Sequence, residues 1–314
     1  MPVGAADRRV LLFAVPTGLV GVALAWWLAA PDGPGVSAFV RVLTLLLGSL
    51  TLGLGVLGWM GRDDRRPAAS PDALWRYAAW TGGAWVLCEA ILLTMTAAEV
   101  ENVSATGMSV AQFAEFLTHA TSGRIGVAAV VCAVAISAYA AFAFRSGREL
   151  PIMPVIALSA LALVLRPVTG HMSQQVLGSA LDAVHALAAA TWIGVLAALA
   201  ATLRSRGAWA AWLPRYSTLA WRCVWALTIT GVIDAAVRLG SLTALYGTGY
   251  GRIVLAKSVT LIALLVLGWW WRRTWVDSAA AHRITADASL KRAVIEVIAM
   301  GIPFGLAAAL ATTA

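Results

Sequence analysis

The 314 residues are 61% hydrophobic and only 12% charged, where an ordinary soluble domain has about 45–50% apolar and about 25% charged residues. A soluble globule cannot absorb that excess, so the composition points to an integral membrane protein. The formal charge of +8 sits on arginines scattered through short turns between apolar runs, a pattern that reports topology rather than nucleic-acid binding.

A membrane-crossing helix needs about 20 mostly apolar residues. Nine stretches qualify, at roughly 10–30, 36–60, 76–98, 124–144, 151–169, 180–203, 217–240, 252–274 and 291–312. Backbone amides cannot stay unpaired in hydrocarbon, so the spans are expected to be helices. The predicted fold is therefore all-α, a polytopic membrane helix bundle of about nine transmembrane helices. The first stretch reads as a helix rather than a cleaved leader, because it is long for a leader's apolar core and Asp32-Gly33-Pro34-Gly35 follows it as a tight turn. One set of turns carries Arg8, Arg9, Arg62, Arg65, Arg66, Arg76, Arg145, Arg148, Arg204, Arg206, Arg215, Arg272, Arg273, Arg283, Lys291 and Arg292. The opposite set holds Asp32, Glu99, Glu101, Glu115 and the turn around His171. The positive-inside rule then places the N-terminus in the cytoplasm and the C-terminus outside.

Two segments look like copies of one another. "LTHATSGRIGVAA" (117–129) is similar to "LYGTGYGRIVLAK" (245–257), and aligning Arg76-Tyr77 with Arg215-Tyr216 matches the starts of the third and seventh spans. Gly53 of the second span then aligns with Gly194 of the sixth, and Arg41 and Thr44 with Asp182 and His185. The expected organisation is an added first helix (1–35) followed by two parallel four-helix repeats, 36–170 and 171–314.

Polar residues are rare enough to be taken one at a time. Glu89 lies mid-span in the third stretch beside Cys88, with no basic residue in the same membrane portion. If it faces the interior, it could receive an ion or a proton. Cys88, Cys132 and Cys223 stand singly in separate apolar stretches and form no disulfide framework. The loop from 99 to 123 contains Val110, Phe113, Ala114 and Leu117 at helical spacing, which predicts a short amphipathic helix on the outer face. His119 and Met108 of this loop, with Met95 of the third span, could come near His171, although packing or solvation is the plainer alternative for each.

The segment "RPVTGHMSQQVLGSALDAVHALAAATWIG" (166–194) concentrates His171, Met172, Asp182 and His185 in an otherwise apolar chain. Asp182, His185, Ala189 and Trp192 share one helical stripe, and His171 precedes them by a short turn. Two imidazoles, a carboxylate and a thioether can hold a metal; the thioether favours Cu(I), whereas imidazole with carboxylate suits Cu(II) or Zn. The plainer alternative makes Asp182 a helix cap and both histidines wet interface residues. Further on, Asp234 and Arg238 are spaced i, i+4 and expected to pair. Tyr250 and Lys257 share a stripe of the eighth span, and Glu296 lies near the inner end of the ninth. Of the fifteen tryptophans, Trp26, Trp27, Trp59, Trp75, Trp209, Trp212 and Trp269 to Trp271 fall near span ends and read as headgroup anchors.

Several stretches resemble one family as a set. "GHMSQQVLGSALDAVHALAAATWIGVLAAL" is similar to the G-H turn and H-x-L-A-A-A-x-W-x-G helix of the copper resistance protein D family. "LPRYSTLAWRCVWALTITG" resembles its F-S-x-x-A helix, "LYGTGYGRIVLAKSVTLIALLVLG" its Y-G-R-x-L-x-x-K helix, and "KRAVIEVIAMG" its late helix with a glutamate. The resemblance covers about residues 166–301; the first half is similar in hydropathy only. Tyr216 stands where the family has phenylalanine, Val195 where a second glycine is common, and Trp271 where asparagine is usual.

The resemblance implies a multi-pass protein of the bacterial cytoplasmic (inner) membrane that handles copper, as Cu(I) or Cu(II). It points to His171, Asp182, His185, Trp192, Gly194, Tyr250, Gly251, Lys257 and Glu296. On this reading His171, His185, Asp182 and Met172 form an outward-facing copper site. Trp192, Tyr250, Lys257, Glu89 and Glu296 line or support the path. Membrane lipid and a separate periplasmic or extracytoplasmic copper-binding donor protein are the expected partners. The expected function is copper uptake rather than an enzymatic reaction, since no nucleotide-binding loop, HExxH or serine triad is present. Two alternatives remain open: a non-transporting, copper-dependent assembly or scaffold protein for a metalloenzyme such as an oxidase, and a b-type cytochrome with histidine axial ligands.

Overall fold

The computed structural model describes residues 8–64, 67–168, 178–239, 241 and 243–313, and all regular structure among them is helical. The helices are α1 (Val10–Ala29), α2 (Ala38–Met60), α3 (Pro71–Val100), a short α4 (Val110–His119), α5 (Thr121–Ser146) and α6 (Met153–Val168). They continue as α7 (Gly178–Thr202), α8 (Arg206–Leu239), a single turn α9 (Ala244–Gly247), α10 (Gly249–Ala280) and α11 (Ala286–Leu310). Each of the nine predicted stretches falls on one of these helices. Among the described residues eight helices are long and apolar enough to cross a membrane, and α6, with 16 residues, is shorter. The chain is a multi-pass, all-α membrane helix bundle.

Local chemistry sets the helix ends. Ser70 accepts from Ala73 N ahead of α3, Thr248 from Gly251 N ahead of α10, and Thr285 from Ala288 N ahead of α11. Each satisfies an amide that the first turn leaves unpaired. Gly147 ends α5 in the left-handed region at φ 60°, the conformation that glycine adopts without steric penalty. Two arginines reach other helices: Arg8 donates to Ala201 O and Leu203 O at the end of α7, and Arg252 to Leu28 O at the end of α1. Glu99, at the end of α3, accepts from the backbone N and the hydroxyl of Ser37, so it caps α2 across a chain separation of 62 residues.

The loop after α2 is tied to α8 by an ion pair between Asp64 and Arg215. The donating Arg215 guanidinium holds the Asp64 carboxyl below the usual carboxylate range.

α2 and α7 form the centre of the bundle. They cross at Gly53 and Gly194, and a Cβ on either glycine would strike backbone atoms of the other helix, at Gly194 or at Ser49. Small residues allow such backbone-to-backbone approach where lipid supplies no hydrophobic drive for association. α1 packs along α11 in the same manner, with Gly18 and Gly21 facing Gly301 and Gly305, and Thr17 donating to Ile298 O at 2.8 Å. α3 and α5 lie against each other along their length, whereas α8 meets α10 mainly at the Arg272–Ala280 end and only sparsely over Gly249–Trp271.

Two readings from the sequence need correction. Trp75, Trp209 and Trp212 are core residues at 6%, 1% and 2% exposure. Trp209 packs on Trp275 at 6.0 Å between ring centres, so both the extra length of α8 and the continuation of α10 bury indoles that a span-end count assigns to headgroups. Trp26, Trp27, Trp59, Trp269 and Trp270 are exposed, as expected of anchors. α4 forms where predicted, with Ser109 and Gln112 making a reciprocal cap, but its buried face is different. Phe116 is buried, with Phe113 and Leu117 packed around it, while Val110 is 86% exposed.

Candidate functional site

The strongest polar constellation lies where α7, α8 and α10 meet near the acidic end of the bundle. α7 presents Asp182 and His185, separated by three residues, on one face. The His185 ring is partly buried and held from α8: Nδ1 lies 2.8 Å from Thr230 Oγ1. The Thr230 hydroxyl already points its proton back at Ala226 O, at 2.7 Å, so it accepts from His185 Nδ1–H. That choice of tautomer leaves the lone pair on Nε2. Nε2 faces Lys257 Nζ of α10 at 3.3 Å. Gly231, next to Thr230, makes room for the ring: a Cβ there would lie 3.3 Å from His185 Cε1.

Asp182 does not orient the imidazole. Its carboxylate instead lies 3.7 Å from Arg238 Nη2, and Arg238 Nε donates to Asp234 at 2.9 Å, the i, i+4 pair expected from the sequence. The same guanidinium sits 5.7 Å from the centre of the Tyr250 ring, with the Tyr250 hydroxyl within its interaction range. Thus Asp182 and Asp234 balance Arg238 and Lys257, two charges against two. The site holds one imidazole nitrogen turned to a tethered ammonium, inside a set of charges that already sums to zero.

His171 and Met172 lie outside the described residues, so the structure does not place them against His185. Among the described residues no group of three or more His, Cys, Asp or Glu side chains converges as a metal site. His119, on α4, is exposed with its Nδ1 2.9 Å from the Thr118 hydroxyl, and Met108 packs against the Phe116 cluster.

Glu89 occupies a separate position. It is 3% exposed, and both carboxylate oxygens are engaged: Oε1 accepts from Trp85 Nε1 at 3.2 Å and Oε2 from Arg166 Nη2 at 2.7 Å. Its basic partner comes from α6, 77 residues away, and not from its own helix. Removing one member of a buried pair costs about 3–5 kcal/mol in soluble proteins. Glu89→Ala is therefore expected to lower the thermal unfolding temperature of the purified protein clearly, and Glu89→Gln, which keeps the acceptor for Trp85, to lower it less. Equal midpoints for wild type and Glu89→Ala would remove the pair from the stability of the bundle.

Trp192 and Glu296 lie towards the arginine-rich end, apart from His185, in the walls of one cavity with Tyr216. The residues that sequence reasoning missed are Thr230 and Arg166. Thr230 stands in the "TITG" segment and carries no charge to mark it; Arg166 begins the stretch in which His171 was found.

Residues 210–310 match the family model of copper resistance protein D. That segment contains Thr230, Asp234, Arg238, Tyr250, Lys257 and Glu296; Asp182 and His185 precede it. The chain is also similar to copper transport protein CutJ of Bacillus subtilis (strain 168), with 33% identity over 114 residues. The similarity covers 32% of this chain and 20% of that protein, so the chain spans about a fifth of the length of the curated relative it matches. No solved structure matches the chain.

Proposed function

We propose that this chain, residues 210–310 of which match the copper resistance protein D family model, takes copper up across the cytoplasmic membrane of a bacterium. The arginine-rich end faces the cytoplasm, by the charge bias of the turns, and the acidic end faces outward. Copper is the cargo, passed from a periplasmic or extracytoplasmic donor protein to His185 and Asp182, with His171 and Met172 as the further ligands. The observation that carries this reading is the His185 ring: Thr230 fixes its tautomer and turns the Nε2 lone pair towards Lys257. An imidazole nitrogen prepared as an acceptor in a bundle this apolar is a ligand position.

Lys257 acts as a stand-in cation. It occupies the space on Nε2 that a metal ion takes, and Asp182 and Asp234 lie within electrostatic range of its ammonium group. Copper and ammonium cannot share the nitrogen, so loading requires the lysine side chain to swing aside. Asp182, paired with Arg238 only at 3.7 Å, is the carboxylate free to follow the incoming ion.

The test is copper accumulation in cells or proteoliposomes, comparing the intact chain with His171→Ala/His185→Ala. Accumulation is expected to vanish in the double variant with membrane insertion unchanged. Equal copper in both would overturn uptake through this site. Copper-dependent binding of a partner without metal flux would then assign the chain to metalloenzyme assembly.

A further inference from the structure

Near the arginine-rich end, α8, α10 and α11 enclose a cavity of about 380 Å³ that the copper site does not use. Trp192, Trp221, Trp269 and Trp271 are among its walls, and Tyr216 and Glu296 supply its polar groups. Both polar side chains are more than nine-tenths buried, at 5% and 7% exposure. Tyr216 and Glu296 lie within interaction range of each other, and Glu296 has no ion-pair partner among the described residues. Arg272 stands at the rim, exposed, with Nη1 3.4 Å from Ser217 O. Arg273 beside it lies 4.2 Å from the centre of the Trp269 ring.

The cavity lies where α8 and the Gly249–Trp271 part of α10 make few contacts, and the packing of α3 on α5 in the first half of the chain offers a closed comparison. Between α3 and α5, a Cβ on Gly82 would lie 3.2 Å from Ser137, and Ser137 donates to Ala79 O. Aligning Arg76-Tyr77 with Arg215-Tyr216 places Trp221 at the position of Gly82. Aligning Gly123-Arg124 with Gly251-Arg252 places Leu265 at the position of Ser137. The second register has support in packing: Gly123 and Gly251 each sit where a Cβ would strike the carbonyl seven residues earlier, of Phe116 and Ala244. Trp221 and Leu265 both line the cavity. A glycine–serine contact is thus replaced by a tryptophan–leucine wedge.

Flanking the opening, Trp221, Trp225 and Ile229 of α8 and Ile262, Val266 and Trp269 of α10 are exposed. These are residues suited to bilayer lipid, so a ligand reaching this cavity comes from the membrane. Inside, a carboxylate with no basic partner among the described residues calls for a cation, and tryptophan faces attract an ammonium group. At the rim an arginine suits a phosphate.

We propose that the cavity is a binding site for a phospholipid with a primary-amine headgroup. The ammonium group lies against Glu296 and the indole faces, donating to the carboxylate and to the Tyr216 oxygen. The phosphate sits on Arg272, and the acyl chains leave between α8 and α10.

The test uses the full chain, copper-free, so that its outcome is separate from the copper reading. The purified protein is delipidated in detergent and offered phosphatidylethanolamine, phosphatidylcholine and phosphatidylglycerol of one chain composition. Bound lipid is counted by native mass spectrometry and affinity read from tryptophan fluorescence. Phosphatidylethanolamine is expected to bind about tenfold more tightly than either competitor. Glu296→Gln should erase that preference, and Arg272→Ala should weaken all three lipids alike. Tyr216→Phe, which removes only a hydroxyl, should reduce the preference in a protein that keeps its packing, and serves where Glu296→Gln does not fold. Equal affinity for the three headgroups in the wild-type protein overturns the proposal. So does a preference for phosphatidylglycerol, or an ethanolamine preference that survives both Glu296→Gln and Tyr216→Phe.

Discussion

Replacing Lys257 with leucine raises the copper affinity of the purified protein by about tenfold or more, while Lys257→Arg leaves it at or below the wild-type value. The basis is the 3.3 Å separation between Lys257 Nζ and His185 Nε2. A unit charge that close to the ligand atom opposes a second cation strongly wherever water is scarce. Leucine has no ligating atom, so any gain in affinity comes from the vacated space and the changed charge. With the lysine gone, Asp182 and Asp234 face Arg238 alone, and the site carries one net negative charge. Combining Lys257→Leu with His185→Ala should return the protein to no measurable binding, which separates loss of repulsion from a new adventitious site. Competition titration against a copper chelator of known affinity reads all four proteins. Identical affinities for wild type and Lys257→Leu would mean that copper does not approach this nitrogen.

A second large effect is expected at the crossing of α2 and α7. Gly194→Leu should yield no folded, monodisperse protein, and Gly194→Ala a protein with a much lower unfolding temperature. Overpacking a core against movable side chains costs about 1–3 kcal/mol. Here the obstacle is the Ser49 carbonyl and the Gly53 backbone, which cannot turn away, so even one methyl group falls at the upper end of that range or beyond. Gly207→Ala is the control, because a Cβ there meets nothing within 4 Å; its stability should stay level or rise slightly through better helix propensity. Size-exclusion chromatography and scanning fluorimetry in detergent decide the matter. A wild-type midpoint for Gly194→Ala would show that the two helices have room to separate.

The spans were readable because hydrocarbon enforces long apolar runs ended by charge, and each predicted stretch lies on a helix. The ends were less readable. Helices α8 and α10 run on past the apolar windows, and the tryptophans on those extensions are buried by partners such as Trp275 that no local pattern reveals. His185 stood out as one of four histidines, but the group that fixes its ring did not. A threonine within a membrane helix usually satisfies itself on its own backbone, and Thr230 does that while also accepting from His185. Glu89 has no basic neighbour along its own membrane-buried helix face, and Arg166 reaches it from α6, 77 residues away. On α4 the helical period was legible but its phase was not: Phe116, not Val110, is buried, a choice made by the facing Leu93 and Ala97.

The glycine crossing also decides which parts of this molecule are able to move. Where two backbones touch with no side chain between them, neither helix can roll or slide past the other without collision, so α2 and α7 form a fixed axle. His185 and Asp182 ride on that axle. α8, with Thr230 and Arg238, packs along α7, whereas the Gly249–Trp271 part of α10, with Lys257, touches α8 only sparsely and is the less constrained element. Displacement of Lys257 from His185 thus takes place on the α10 side against a stationary imidazole, and a cross-link joining α8 to α10 is where any accompanying helix shift would jam.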